Sequence, residues 1–140
     1  MKTQLAAPQA NRVEKPHALL PLLWVFLSLS YIICDLLSNM ESATLRGLLE
    51  NSVGGFPVTQ GFLLFAGVTL EIPVLMILLS AVLPFKANRI VNVCAAALMI
   101  VYQLGSFTVG SGATLHYVFF SAVEILGNAA VIVLAVRRKR

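Results

Sequence analysis

The sequence predicts an all-α integral membrane protein, a four-helix bundle, and three observations carry that expectation. Of 140 residues, 59% are hydrophobic and 11% charged, and the mean hydropathy is +0.88, a balance that soluble domains rarely show. Four apolar stretches, at about 18–37, 60–83, 90–109 and 115–136, are each long enough to cross roughly 30 Å of hydrocarbon at about 1.5 Å per residue. The third observation is where the basic residues fall. Lys2, Arg12 and Lys15 precede the first stretch, Lys86 and Arg89 separate the second from the third, and Arg137, Arg138, Lys139 and Arg140 follow the fourth. Nine of the ten Lys and Arg residues thus share one side of a four-span chain, which places both termini in the cytoplasm and the protein in the cell inner (plasma) membrane. The net charge of +4 then records topology. It implies a lipid bilayer as partner and no nucleic acid.

The expected domains are a cytoplasmic tail, 1–17, a membrane domain, 18–136, and a basic tail, 137–140. Span one follows a basic segment, as a secretory signal would, but its nearest small-x-small site, Ser28-Leu29-Ser30, lies inside the apolar run, so the span is retained. In the outer loop from Ser38 to Thr59, Met40, Ala43, Leu45, Leu48 and Leu49 alternate with polar residues up to Glu50. That pattern predicts a short amphipathic helix at the headgroups, with Ser38 and Asn39 as caps, ended by Gly54, Gly55 and Pro57. The short inner turn from Pro84 to Arg89 makes spans two and three antiparallel neighbours. Pro73 removes the helical partner of the Thr69 carbonyl and predicts a kink in span two.

The polar residues inside the spans fall on stripes. Trp24, Ser28, Tyr31 and Asp35 share a face of span one; Asn92, Ala96, Met99, Gln103 and Ser106 share a face of span three; Tyr117, Phe120, Glu124 and Asn128 share a face of span four; Gly67, Glu71 and Leu75 form the corresponding stripe of span two. Asp35 and His116 come near the outer interface, Tyr31 and Gln103 about a third of the way in, and Glu71 and Glu124 nearer the centre. If the stripes converge, Tyr31, Glu71, Gln103 and Glu124 line one outward-opening pocket. The alternative is that the polar groups bond one another as glue between helices, at roughly 0.6 kcal/mol per pair.

Glu71 is the most informative residue on this reading. A carboxylate near the bilayer midplane costs at least about 2.5–3.5 kcal/mol, and such groups face a protein interior or a wet cavity. Glu71 and Glu124 also sit in a weak internal repeat, Thr69-Leu70-Glu71-Ile72-Pro73 against Ala122-Val123-Glu124-Ile125-Leu126, which would face both acids toward a shared centre. Two buried acids repel when ionised and make poor glue, so the pair points to ligand or proton binding. Cys34 and Cys94 lie near opposite membrane faces, too far apart for a disulfide, and are expected to be buried apolar fillers. No P-loop, dinucleotide fingerprint, HExxH or serine-nucleophile motif occurs. His116 and Glu124 are about 12 Å apart along one helix, too far to share a metal.

The runs Tyr31-Ile32-Ile33-Cys34-Asp35-Leu36-Leu37, Gly61-Phe62-Leu63-Leu64 leading to Leu70-Glu71-Ile72-Pro73, Leu83-Pro84-Phe85-Lys86-Ala87-Asn88-Arg89, and Tyr117-Val118-Phe119-Phe120 leading to Glu124 resemble small four-span bacterial membrane proteins. These include the DoxX-like proteins and relatives of unknown function. The resemblance covers about Ala18 to Val136. It implies a four-helix membrane fold and carries no catalytic residues across. The expected function is binding or transport of a small cationic or amphipathic ligand from the outer side, with proton coupling through Glu71 and Glu124 and with Asp35, Tyr31, Gln103 and His116 contributing. A structural subunit without chemistry, or a quinone- or metal-linked enzyme, stands as the alternative. The sequence names no cofactor and leaves a homo-oligomer open.

Overall fold

The structure, a computed structural model, describes residues 19–108 and 114–137. The tail 1–17, most of the loop Gly110 to Thr114 and the end of the basic tail lie outside the described residues. Four long helices form the bundle, and each is long and apolar enough to cross a membrane: α1 (Leu19–Asn39), α3 (Gln60–Val82), α4 (Phe85–Ser106) and α5 (Leu115–Arg137). The chain is a multi-pass membrane protein. Between α1 and α3 lie a short helix, α2 (Ser42–Leu49), and a two-stranded hairpin, β1 (Ser52–Val53) with β2 (Phe56–Pro57). Helix α1 packs against α3 and α5, and α4 against α5 and α3, so the order around the bundle is α1, α3, α4, α5.

Three boundaries differ from expectation for local reasons. Helix α4 starts at Phe85 instead of residue 90, because Lys86, Asn88 and Arg89 form a polar first turn that hydropathy does not register. Helix α1 runs through the expected caps Ser38 and Asn39, and Glu41 takes the N-cap of α2 without a side-chain bond. The residues expected only to end α2 build the hairpin. Gly54 and Gly55 take left-handed φ values of 56° and 87°, which a two-residue hairpin turn requires and glycine meets without strain. Helix α2 packs mainly on the end of α1 and on β1 and fully buries none of its side chains.

Helix α3 continues through Pro73, which is buried together with Thr69, Met76 and Ser80 on one stripe. The Thr69 hydroxyl donates to the Phe65 carbonyl at 2.9 Å. At the other end Leu83 and Pro84 alone connect α3 to α4. Asn88 Nδ2 donates to the Ser80 carbonyl at 2.6 Å and to the Leu83 carbonyl at 3.4 Å, satisfying acceptors that a helix C-terminus leaves open.

The apolar core consists mainly of Leu20, Trp24, Leu27, Met76, Ala96, Met99, Val131 and Ala135. Gly127 lets α5 approach α1 closely, since a Cβ there would lie 2.7 Å from Leu27 Cδ2, and Leu27 is fully buried. Gly127→Ala is therefore expected to destabilise the bundle by about 1–3 kcal/mol through overpacking. At Gly105 an added Cβ meets nothing within 4 Å, so Gly105→Ala should be neutral or slightly stabilising. Thermal unfolding of both variants in detergent checks the contrast, and equal melting temperatures would contradict it.

Candidate polar site in the bundle

The inward faces of α1, α4 and α5 are the polar stripes, but that of α3 is not. Trp24, Ser28 and Tyr31 on α1, Asn92, Ala96, Met99 and Gln103 on α4, and Glu124 and Asn128 on α5 are buried. Glu71 is exposed on the outer face of α3. The buried stripe there is Thr69, Pro73, Met76 and Ser80, and Glu71, two residues from Pro73, lies about 200° around the helix from it. The expected pocket of Tyr31, Glu71, Gln103 and Glu124 is thus corrected: Glu71 does not join the other three inside one chain, and the repeat does not bring the two Glu residues to a shared centre. The error has a physical origin. Helix α3 is almost uniformly apolar, so its amphipathic pattern marks no inward side. The signal that would have found it is the spacing of Thr69, Pro73 and Ser80.

Two groups of polar side chains remain inside, at different depths. Near the Leu83–Pro84 turn, Trp24 Nε1 donates to Asn92 Oδ1 at 2.7 Å, bridging α1 to α4 across the bundle. Asn92 Nδ2 donates to the Asn88 carbonyl and to Asn88 Oδ1, both at 2.8 Å. Donors and acceptors match in this cluster, which has the form of interhelical glue.

The second group lies toward the end that carries α2 and the hairpin. Glu124 is 1% exposed, and its one side-chain partner among the described residues is the Ser30 hydroxyl, at 3.5 Å. Asn128 Nδ2 donates to the Glu124 carbonyl and to the Tyr31 hydroxyl, both at 2.8 Å. The donation to the Glu124 carbonyl fixes the amide's orientation and leaves Asn128 Oδ1 buried with no hydrogen-bond partner among the described residues. Having accepted from Asn128, the Tyr31 hydroxyl still has its own proton to donate. Gln103 Nε2 donates to Ser121 Oγ at 2.6 Å.

Asp35 is exposed at the same end of α1 and lies within electrostatic range of Glu124, Tyr102 and Tyr117. Tyr117 donates to the Ser106 hydroxyl and meets Phe107 edge-to-face, with ring centroids 5.4 Å apart. His116 stands at the rim: Nε2 lies 3.3 Å from Ser38 Oγ, joining the ends of α1 and α5, and Nδ1 lies 3.0 Å from Thr114 Oγ1. Cys34 is buried near this group, within electrostatic range of Glu124 and Asp35, whereas Cys94 is exposed instead of filling the core.

The Tyr31 and Ser121 hydroxyls both accept in the bonds described and keep a hydrogen unspent there. Among the described residues neither Glu124 nor Asp35 forms an ion pair, and Asn128 Oδ1 has no hydrogen-bond partner. Ser30 and Ser121 escaped the sequence reading because a small hydroxyl fits any helix interface. No group of three or more His, Cys, Asp or Glu side chains that could hold a metal occurs among the described residues.

Residues 10–140 match a family of unknown function, DUF6326. The chain belongs to the DUF6326 family. No curated protein and no solved structure matches it.

Proposed function

We propose that this DUF6326 protein binds or transports a small organic cation at the Glu124 site, entered from the outer side of the plasma membrane, with both termini in the cytoplasm. The observation that carries the proposal is the buried Asn128 Oδ1 without a partner among the described residues, on a side chain bonded to the backbone carbonyl of Glu124, whose own buried carboxyl has a single long hydrogen bond there. Buried polar atoms are nearly always paired, so an unpaired one next to a carboxyl calls for a donor from outside the chain. A cation carrying N–H groups supplies charge for Glu124 and Asp35 and a hydrogen bond for Asn128. A purely structural subunit would be expected to resemble the Trp24–Asn92–Asn88 cluster throughout, with every group matched. The Glu124 group departs from that pattern. The DoxX-like resemblance adds the four-span layout and nothing about the ligand.

A cation binds the ionised carboxylate, so it competes with the proton for Glu124. Affinity should therefore rise with pH through the titration of that group and fall as the group is protonated. Benzylammonium, an apolar body with an N–H-bearing cationic head, is a suitable probe for purified protein in detergent. It should raise the melting temperature in a saturable way, by an amount equivalent to about 2.7 kcal/mol at 100 times its Kd. Glu124→Gln should lose that response and Glu71→Gln should keep it. An equal response in Glu124→Gln, or a stronger response to neutral benzyl alcohol, would overturn the proposal.

A further inference from the structure

Helix α3 is the most apolar of the four spans, with a hydropathy of 2.4, yet the least covered: 17% of its central window is buried, against 39%, 28% and 28% for α1, α4 and α5. Its outward face is ordered. Leu64, Val68, Glu71, Leu75, Leu78 and Val82 follow one another at intervals of four, three, four, three and four residues, and all six are exposed. That alternation, which the exposed Leu22, Val25, Leu29, Ile32 and Leu36 of α1 share, fits the 3.5-residue repeat of a left-handed helix pair; what sets the α3 stripe apart is the acid within it. Glu71 lies on this seam midway between Gln60 and Val82, where the surroundings are hydrocarbon, and it has no hydrogen-bond or ion-pair partner among the described residues. A polar group at that depth needs a partner, and none of the described residues supplies one.

We infer that the Glu71 face of α3 is the interface of a homodimer, with α3 packed against α3 of a second copy about a two-fold axis along the membrane normal. A two-fold axis sets the same patch against itself, so Glu71 meets Glu71. A carboxyl group that holds a proton is both donor and acceptor, which makes two of them complementary to each other. A single polar position in an otherwise apolar seam also fixes register, since sliding by one turn would leave both carboxyls unpaired. Gly67, one turn from Glu71, has open space around its Cβ position and leaves room for close approach of the second helix. The inference is independent of the Glu124 site, which lies inside one chain.

The test uses full-length protein in liposomes, in a Cys34→Ala/Cys94→Ala background. Leu64→Cys and Leu75→Cys should form disulfide-linked dimers rapidly on mild oxidation. Leu126→Cys, exposed on α5, reports random encounters and should not. By fluorescence energy transfer between labelled copies, Glu71→Leu should weaken dimerisation about 3- to 18-fold, the range expected for one hydrogen-bonded contact between helices in a bilayer. Glu71→Gln should restore most of it, because paired amides are also self-complementary. Cross-linking at Leu64 and Leu75 no faster than at Leu126, or dimerisation unchanged in Glu71→Leu, would overturn the inference. A monomeric wild-type protein in liposomes would overturn it too, and would point to a different protein or to lipid on this face.

Discussion

Glu124→Met is expected to stabilise the bundle by about 1–3 kcal/mol while abolishing cation binding. Burying a polar group without adequate hydrogen bonding carries a cost of that size, and among the described residues the Glu124 carboxyl has only the 3.5 Å contact from Ser30 in return. Methionine has a similar length and adapts to irregular gaps, so the space stays filled. Opposite signs in stability and binding mark a group retained for function at the expense of stability. Denaturation in mixed micelles, run beside the probe-dependent melting shift, gives both quantities on one sample. A Glu124→Met variant less stable than wild type would show that the carboxyl is structural glue, and the binding proposal would fall with it.

Asn92→Leu should act in the other direction, lowering stability by about 2 kcal/mol. It removes the acceptor for Trp24 Nε1 and two donations to Asn88, each worth roughly 0.6 kcal/mol on average and at most about 1.7 in a membrane bundle. The Trp24 indole N–H, fully buried, would then have no partner. A double-mutant cycle with Trp24→Phe isolates the cross-bundle bond, and a coupling energy of about 0.6–1.7 kcal/mol is expected. Additive effects of the two substitutions would show that the 2.7 Å contact contributes nothing to stability. Probe binding should survive in Asn92→Leu, because the Trp24 cluster lies nearer the Leu83–Pro84 turn than the Glu124 group does.

The spans were legible in the sequence because length and hydropathy suffice to define a membrane helix, and the inward faces of α1, α4 and α5 were legible because polar residues recur there at helical spacing. Tyr31, Gln103 and Glu124 therefore fell on the correct side. Glu71 did not, because in a helix as uniformly apolar as α3 its one acid is the strongest polar cue to an inward side, and the structure turns that acid outward. A chain read in isolation cannot distinguish its own core from an interface with another molecule, as both demand the same side chains. The hairpin was hidden for a different reason: Gly54 and Gly55 signal a turn, but strands of two residues are too short to show alternation.

The two-residue connection between α3 and α4 bears on how the chain enters the membrane during synthesis. Helix α4 is the least hydrophobic span, with a hydropathy of 1.4, and the polar Asn88 and Asn92 lie along it. Alone at a translocation channel it would be the slowest segment to partition into lipid. Leu83 and Pro84 leave α4 no slack to separate from α3, and Asn88 binds the last carbonyls of its predecessor. The two-residue connection therefore keeps the two helices side by side, with the weakly hydrophobic one held against the strongly hydrophobic one.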